Sequence, residues 1–481
     1  MPFLQPVGFI VSLLVLALSA AMLVPAAVDA IYGNPDWIVF VVSAGVGVAV
    51  AGMGALTARC ATIGLDLRQA FLVTATSWLA MSAVGALPLY FSTLKLSYAD
   101  AFFESISGLT TTGSTVLVGL DTMAPGLLLW RSLLQWIGGV GIIVLGMAIL
   151  PFLRVGGMQL FHTESSDRSE KLFPRPGQIA SAIGAVYLGL SALCAAAYMV
   201  AGMSPFEAIN HAMTTLATGG YSTSDRSLGH WGAAVQWVGT TFMLAGALPF
   251  LLYVRVLQGR PAALYRNSQV LALLGLLATA ILTLALWLIG TGQAAPLDAF
   301  RLTAFNVVSI VTTTGYATAD YGLWGGFAAV CFFCLIFVGG CTGSTSGGIK
   351  MFRFEILVRL VARTIARLPH PHRIYPLAYR KTPIGEDVMT GVIAFFAFFI
   401  SSFALLSLAL ALFGLDFVSA ISGAATAMAN VGPGLGPVIG PAGNFASLPD
   451  GAKWLLSFGM LLGRLEVFTV LVLLTPSFWR A

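Results

Sequence analysis

DAFFESISGLTTTGST (100–115) is the stretch on which the fold turns. It opens on a carboxylate beside apolar residues, continues small and apolar, and closes on Thr-Thr-Thr-Gly. Three later segments repeat that plan: PFEAINHAMTTLATGGYST (205–223), PLDAFRLTAFNVVSIVTTTGYAT (296–318) and DFVSAISGAATAMANVGPGLG (416–436). Their closing glycines align as Gly113, Gly219, Gly315 and Gly432. Each segment has one long apolar run before it and one after it. Irregular backbone at membrane depth is tolerated mainly where it lines a cavity. Four equally placed segments of this kind are therefore not ordinary surface turns.

Outward from the repeats, the chain is a membrane protein. Of its 481 residues 58% are hydrophobic and 9% charged, against about 25% charged in a soluble domain. Apolar runs of spanning length lie at 8–28, 37–56, 70–91, 127–150, 179–202, 232–254, 269–290, 325–340, 389–413 and 453–475, which predicts ten crossings. The first run reads as a span rather than a signal peptide, because Met1 to Val7 carries no Lys or Arg. With the N-terminus inside, only Lys95, Arg226, Arg301 and Lys453 fall in outer loops. Apart from Arg131 and Arg464 within spans, the remaining basic residues are inside, as the positive-inside rule requires. Both termini are then cytoplasmic. The net charge of +5 is an orientation signal and does not point to nucleic acid. Cys331 and Cys334 have metal-like spacing but no second ligand pair nearby, so thiols packed in a helix are expected.

The expected fold is an all-α polytopic membrane protein. Four tandem transmembrane–pore helix–transmembrane repeats (69–178, 179–267, 268–388 and 389–481) close into a pseudo-fourfold ring, and an N-terminal transmembrane hairpin (1–68) lies outside it. Two crossings per unit give every unit the same orientation, as parallel repeats about the membrane normal require.

The loops suit a dehydrated cation. Such an ion needs oxygen ligands, which stacked backbone carbonyls can supply, and glycine permits the dihedrals that aim them. Thr110-Thr111-Thr112-Gly113, Ala217-Thr218-Gly219-Gly220-Tyr221 and Thr313-Thr314-Gly315-Tyr316 fit that need, and Asn430-Val431-Gly432 fits it with other side chains. None of these residues is charged, which favours carbonyl selection. Asp100, Glu207, Asp298 and Asp416 stand at the far ends of the short helices, where carboxylates cap exposed N–H groups. If each helix runs inward, its negative end faces the pore.

A second feature is Gly339-Gly340-Cys341-Thr342-Gly343-Ser344-Thr345-Ser346-Gly347-Gly348. Five glycines in ten residues cannot hold a stiff helix, so a movable intramembrane loop, a gate, is expected beneath the filter. Arg464 is expected within the last span as a positive barrier near the conduction path. The stretch 350–381, with eight Lys or Arg, is expected to be a cytoplasmic helix end and loop, read either as positive-inside anchoring or as a docking surface for a cytosolic regulator, two compatible roles.

These motifs resemble the TrkH/KtrB family of potassium transporters. The resemblance also rests on residues 82–88, LQWIGGVGIIVL (134–145), ILPFLRVGGMQL (149–160), GGCTGSTSGGIK (339–350), NVGPGLG (430–436) and GRLEVFTVLVLLTPSFWR (463–480). It implies potassium uptake across the bacterial inner membrane by a homodimer, under control of a cytosolic TrkA-like subunit that binds NAD and ATP. Nucleotide is thus expected only on that regulatory subunit, and K⁺ is the transported ion. By motif, the ion-coordinating positions are Thr111, Thr112 and Gly113; Ala217, Thr218 and Gly219; Thr313, Thr314 and Gly315; and Asn430, Val431 and Gly432. Gly339 to Gly348 match the family's gating loop and Arg464 its pore-facing arginine. A secondary transporter would instead place polar pocket residues on long helices. An enzyme is not expected, since His162, Glu164, Asp167 and His211 have neither ligand nor triad spacing.

Overall fold

Hydrocarbon offers no hydrogen bonds, so a spanning backbone must satisfy itself, and helices do so within one segment. The computed structural model describes residues 3–58, 65–148, 176–370 and 382–480, together with 372, 373, 375, 378 and 379. The ILPFLRVGGMQL motif, Cys60 and the loop carrying His162, Glu164 and Asp167 lie outside the described residues. Among the described residues, seven helices are long and apolar enough to cross a membrane. They are α1 (Gln5–Tyr32), α2 (Trp37–Thr57), α3 (Leu67–Phe91), α5 (Pro125–Ala148), α6 (Pro176–Val200), α10 (Ser268–Gly290) and α14 (Glu386–Leu412). Four shorter helices alternate with them: α4 (Tyr98–Leu109), α7 (Pro205–Leu216), α11 (Pro296–Val311) and α15 (Phe417–Ala429). One two-residue ladder pairs Ala378–Tyr379 with Thr382–Pro383, and the other elements of two or more residues among the described residues are helices.

Burial separates inner spans from outer ones. In α3 and α5, 67% of the apolar window is buried, against 22–33% in α1, α2, α6, α10 and α14. The latter turn Leu271, Leu274, Leu282, Leu286 and similar side chains outward, as lipid-facing helices do. α1 and α2 pack on each other and on α3.

The short helices begin where capping permits. Ser97 and Ser204 accept from the N–H groups of Asp100 and Glu207, and Asp416 accepts from Val418 and Ser419. Glu207 completes a capping box by accepting from Ser204 N at 3.0 Å. Asp298 departs from the expected cap. It pairs with Arg301 at 2.8 Å, and α11 starts on a proline without a side-chain cap.

Three of the ten expected crossings are not straight spans. The break at 339–348 is where the sequence puts it: α12 (Gly326–Ile336) stops before it and α13 (Met351–Arg367) resumes after it. Two further breaks are not in the hydrophobicity. α8 (Ala233–Gly246) and α9 (Phe250–Leu257) meet at 94°, and α16 (Asp450–Arg464) meets Phe468–Leu474 at 109°. The first bend is sustained from outside the span: Gly246 O accepts from Thr345 N at 3.2 Å, Ala247 O from Cys341 N at 3.0 Å, and Phe250 N donates to Gly343 O at 2.9 Å. A neighbouring segment thus satisfies the backbone groups that the bend releases.

Candidate functional site

The four short helices end alike. Thr111, Thr218, Thr313 and Asn430 hold φ of 53°, 51°, 59° and 54°. Two residues on, Gly113, Gly220, Gly315 and Gly432 hold φ of 86°, 78°, 82° and 110°. Threonine rarely adopts a left-handed backbone, at a cost of about 1–2 kcal/mol, so three such threonines in equivalent places mark an imposed geometry. One repeated hydrogen bond fixes the register. Thr112 N donates to Ser107 O at 2.8 Å, Gly219 N to Thr214 O at 2.9 Å, Thr314 N to Ser309 O at 2.8 Å and Val431 N to Thr426 O at 3.1 Å.

That register corrects the alignment of the second loop by one residue. Gly220, not Gly219, stands where Gly113, Gly315 and Gly432 stand, and the matching triplet is Thr218-Gly219-Gly220. Ala217 corresponds to Thr110, Thr312 and Ala429. The sequence of two adjacent glycines leaves both choices open; only the dihedrals separate them.

The loops meet in cyclic order. A Cβ at Gly113 would strike the carbonyl oxygen of Gly219, one at Gly220 that of Thr314, and one at Gly315 that of Val431. At Gly432 it would lie 2.8 Å from Thr112 O. The carbonyls of Thr112, Gly219, Thr314 and Val431 therefore each abut the glycine of a neighbouring loop. All four glycines line one cavity of about 240 Å³, together with Ser114 and Tyr221. The hydroxyl of Thr111 and Oδ1 of Asn430 are buried with no hydrogen-bond partner among the described residues.

Side chains divide the loops into two kinds. Loops one and three carry hydroxyl pairs, Thr110 with Thr112 and Thr312 with Thr314, each at 2.8 Å. Loop two has Ala217 and Gly219 there, and loop four Ala429 and Val431. Tyrosines brace neighbouring segments: Tyr221 OH donates to Glu104 O at 2.8 Å, and Tyr316 OH lies 2.5 Å from the Thr214 hydroxyl. Gln135 was not among the expected residues. Its Nε2 donates to Gly219 O at 2.6 Å and its Oε1 accepts from Tyr221 N at 3.1 Å. A lone glutamine in the apolar run LLQWIGG was the available signal.

The glycine-rich segment lies against these loops. All ten residues from Gly339 to Gly348 are buried or partly buried, and a parallel bridge between Val338 and Ile349 closes the base. Thr345 Oγ1 donates to Leu216 O at 2.9 Å and lies 3.2 Å from the Thr218 hydroxyl. Gly347 N donates to the Thr313 hydroxyl at 2.6 Å. Thr342 N is held by Gln269 Oε1 at 2.9 Å, and Ser344 and Ser346 pair at 2.8 Å. Arg464 meets the segment, and does so from the last residue of α16 rather than from mid-span, where the sequence placed it. Its Nη1 donates to Thr345 O at 2.9 Å. A small cavity of about 40 Å³ remains between Arg464, Lys350 and the segment.

The bend after Arg464 is secured by a buried pair. Glu466 holds φ 56° and pairs with Arg353 of α13, whose guanidinium lies 3.8 Å over the Phe395 ring. Removing one partner of a buried pair costs about 3–5 kcal/mol. Arg353→Leu is therefore expected to lower the thermal midpoint in detergent, and Arg353→Leu/Glu466→Leu to recover most of the loss.

The TrkH family, described as cation transport protein, matches residues 40–480. The Trk system potassium uptake protein TrkI of Halomonas elongata is 50% identical over 477 residues, which cover 99% of this chain and 97% of that protein. The Trk system potassium uptake protein TrkH of Escherichia coli K12 is 39% identical, with 98% of each chain covered. The crystal structure of the potassium transporter TrkH from Vibrio parahaemolyticus matches with a TM-score of 0.91 at 36% identity, over 99% of both chains. On its helical membrane fold and these near full-length likenesses, the chain belongs to the TrkH family of cation transport proteins, which are transporters and not enzymes.

Proposed function

We propose that this chain conducts potassium into the cell through a filter made by its four loops. The observation that carries the reading is the cyclic abutment of Thr112, Gly219, Thr314 and Val431 carbonyls on the neighbouring glycines. Such a ring supplies the oxygens that replace an ion's water. Just inside it, the unpartnered oxygens of Thr111 and Asn430 suit a second ring. The four helix ends add partial negative charge toward the same point. The filter residues are Thr111, Thr112 and Gly113; Thr218, Gly219 and Gly220; Thr313, Thr314 and Gly315; and Asn430, Val431 and Gly432, with Ala217 one step inward.

In the same reading the units 69–178, 179–267, 268–388 and 389–481 are four repeats around the pore, beside the hairpin 1–68. The segment 339–348 is the gate, closed in the state described, and Arg464 latches it. The relatives named for the Trk uptake system support potassium as the ion. The basic residues of α13 and the segment after it support a cytoplasmic face that docks a TrkA-like nucleotide-binding regulator. The working unit is a homodimer in the bacterial inner membrane, with both termini cytoplasmic.

Complementation tests this. Expressed with a regulator in a bacterium lacking potassium uptake, the chain should restore growth at low external K⁺. Failure despite confirmed membrane insertion would count heavily against the proposal.

A further inference from the structure

The shared register brings four unlike residues to one place behind the loops. Glu104, His211, Asn306 and Gly423 each stand three positions before the residue whose carbonyl fixes its loop, namely Ser107, Thr214, Ser309 and Thr426. Three of the four reach the outgoing strand of their own loop, two or three residues beyond its glycine.

Each does so with different chemistry. Glu104 is fully buried and accepts from Val116 N at 3.0 Å and from the Thr115 hydroxyl at 3.0 and 3.1 Å. It also holds Arg131 Nε at 2.7 Å. Arg131 in turn donates to Ser222 O at 3.1 Å and lies 4.1 Å over the Tyr221 ring, so this pair grips loops one and two together. His211 Nδ1 lies 2.8 Å from Glu207 O, which can only accept, so Nδ1 carries the proton. In the neutral ring Nε2 then accepts from the Ser222 hydroxyl at 3.0 Å. Asn306 repeats the arrangement: Nδ2 donates to Leu302 O at 2.8 Å and to the Thr318 hydroxyl at 2.9 Å, and Oδ1 accepts from Thr318 N at 3.2 Å. Gly423 has no side chain to offer. There the neighbouring Ser422 hydroxyl accepts from Leu435 N at 2.9 Å.

We propose that Glu104, His211 and Asn306 are positioning residues that set ion discrimination by clamping the outgoing strand of their own loops. The inference rests on the filter reading above. A cage of carbonyls rejects sodium only while it resists closing on a smaller ion, and that resistance comes from what holds the strands from behind. The clamps are graded. Charge-assisted bonds are about twice as strong as neutral ones, so the Glu104–Arg131 pair is the stiffest and loop four, held there by the single Ser422 hydroxyl, is the softest.

The test is the K⁺/Na⁺ permeability ratio of the full chain with its regulator. Glu104→Gln keeps the shape but removes the charge, and is expected to lower the ratio about tenfold or more. His211→Ala should lower it by about fivefold. His211→Asn, which copies the Asn306 bonds, should recover at least half of the ratio lost in His211→Ala. If Glu104→Gln does not reach the membrane, Asn306→Ala and the His211 pair decide the matter. Variants that carry K⁺ with unaltered ratios, or His211→Asn behaving as His211→Ala does, would overturn the clamps while leaving the filter intact. A wild-type chain that does not distinguish K⁺ from Na⁺ would overturn the filter reading, and the clamps with it.

Discussion

Gly220→Ala is expected to reduce potassium flux below about 1% of wild type, whereas Gly219→Ala should retain several per cent or more. At Gly220 φ is 78°, so alanine pays about 1–2 kcal/mol in backbone strain alone. Its methyl would also strike the Thr314 carbonyl, a backbone atom of the next loop, which cannot yield without opening the ring. At Gly219 the added methyl meets only the Gln135 side chain. Gln135 can swing away with loss of two hydrogen bonds, at about 1 kcal/mol each. Rubidium uptake in matched membrane preparations would measure both variants. Equal losses would refute the corrected register of the second loop.

Removal of residues 343–347 is expected to raise potassium flux by about a hundredfold or more when the regulator holds the pore closed. Five of the hydrogen bonds that anchor that stretch are Phe250 N to Gly343 O, Thr345 N to Gly246 O, Thr345 Oγ1 to Leu216 O, Gly347 N to the Thr313 hydroxyl, and Arg464 to Thr345 O. At about 1 kcal/mol each they bias the segment strongly toward the closed position. Of those five, Arg464→Ala removes only the charged bond, worth about 1.5–3 kcal/mol, along with a 3.5 Å contact to Gly138 O, and should give a smaller rise of roughly ten- to a hundredfold. Since it leaves the Thr313 contact in place, it also separates gating from damage to the filter. Unchanged flux in both variants would refute the gate.

Much of the site was legible before any coordinates. The glycines recur because a carbonyl ring of this width leaves no room for a Cβ, and such a requirement writes itself into sequence as an invariant small residue in each unit. The break at 339–348 was legible for a similar reason, since five glycines within one apolar span forbid a continuous helix. What escaped were partnerships across the chain. Pro249 marks a break close to Gly246, but nothing local announces a bend of 94°, because the atoms that satisfy it belong to Cys341, Gly343 and Thr345. Arg131 and Glu104 were visible as charges, but their separation of 27 residues concealed a 2.7 Å pair.

The apolar spans and the four glycine-closed loops follow from the sequence by itself, because each depends on local composition: transfer into lipid and backbone freedom at a turn. The tertiary structure alone decided which glycine of the second loop joins the others, how sharply two further spans bend, and that Arg464 ends a helix against the segment 339–348. Those outcomes depend on which distant carbonyls and hydroxyls come within hydrogen-bonding reach, and that is a property of packing that no local pattern encodes.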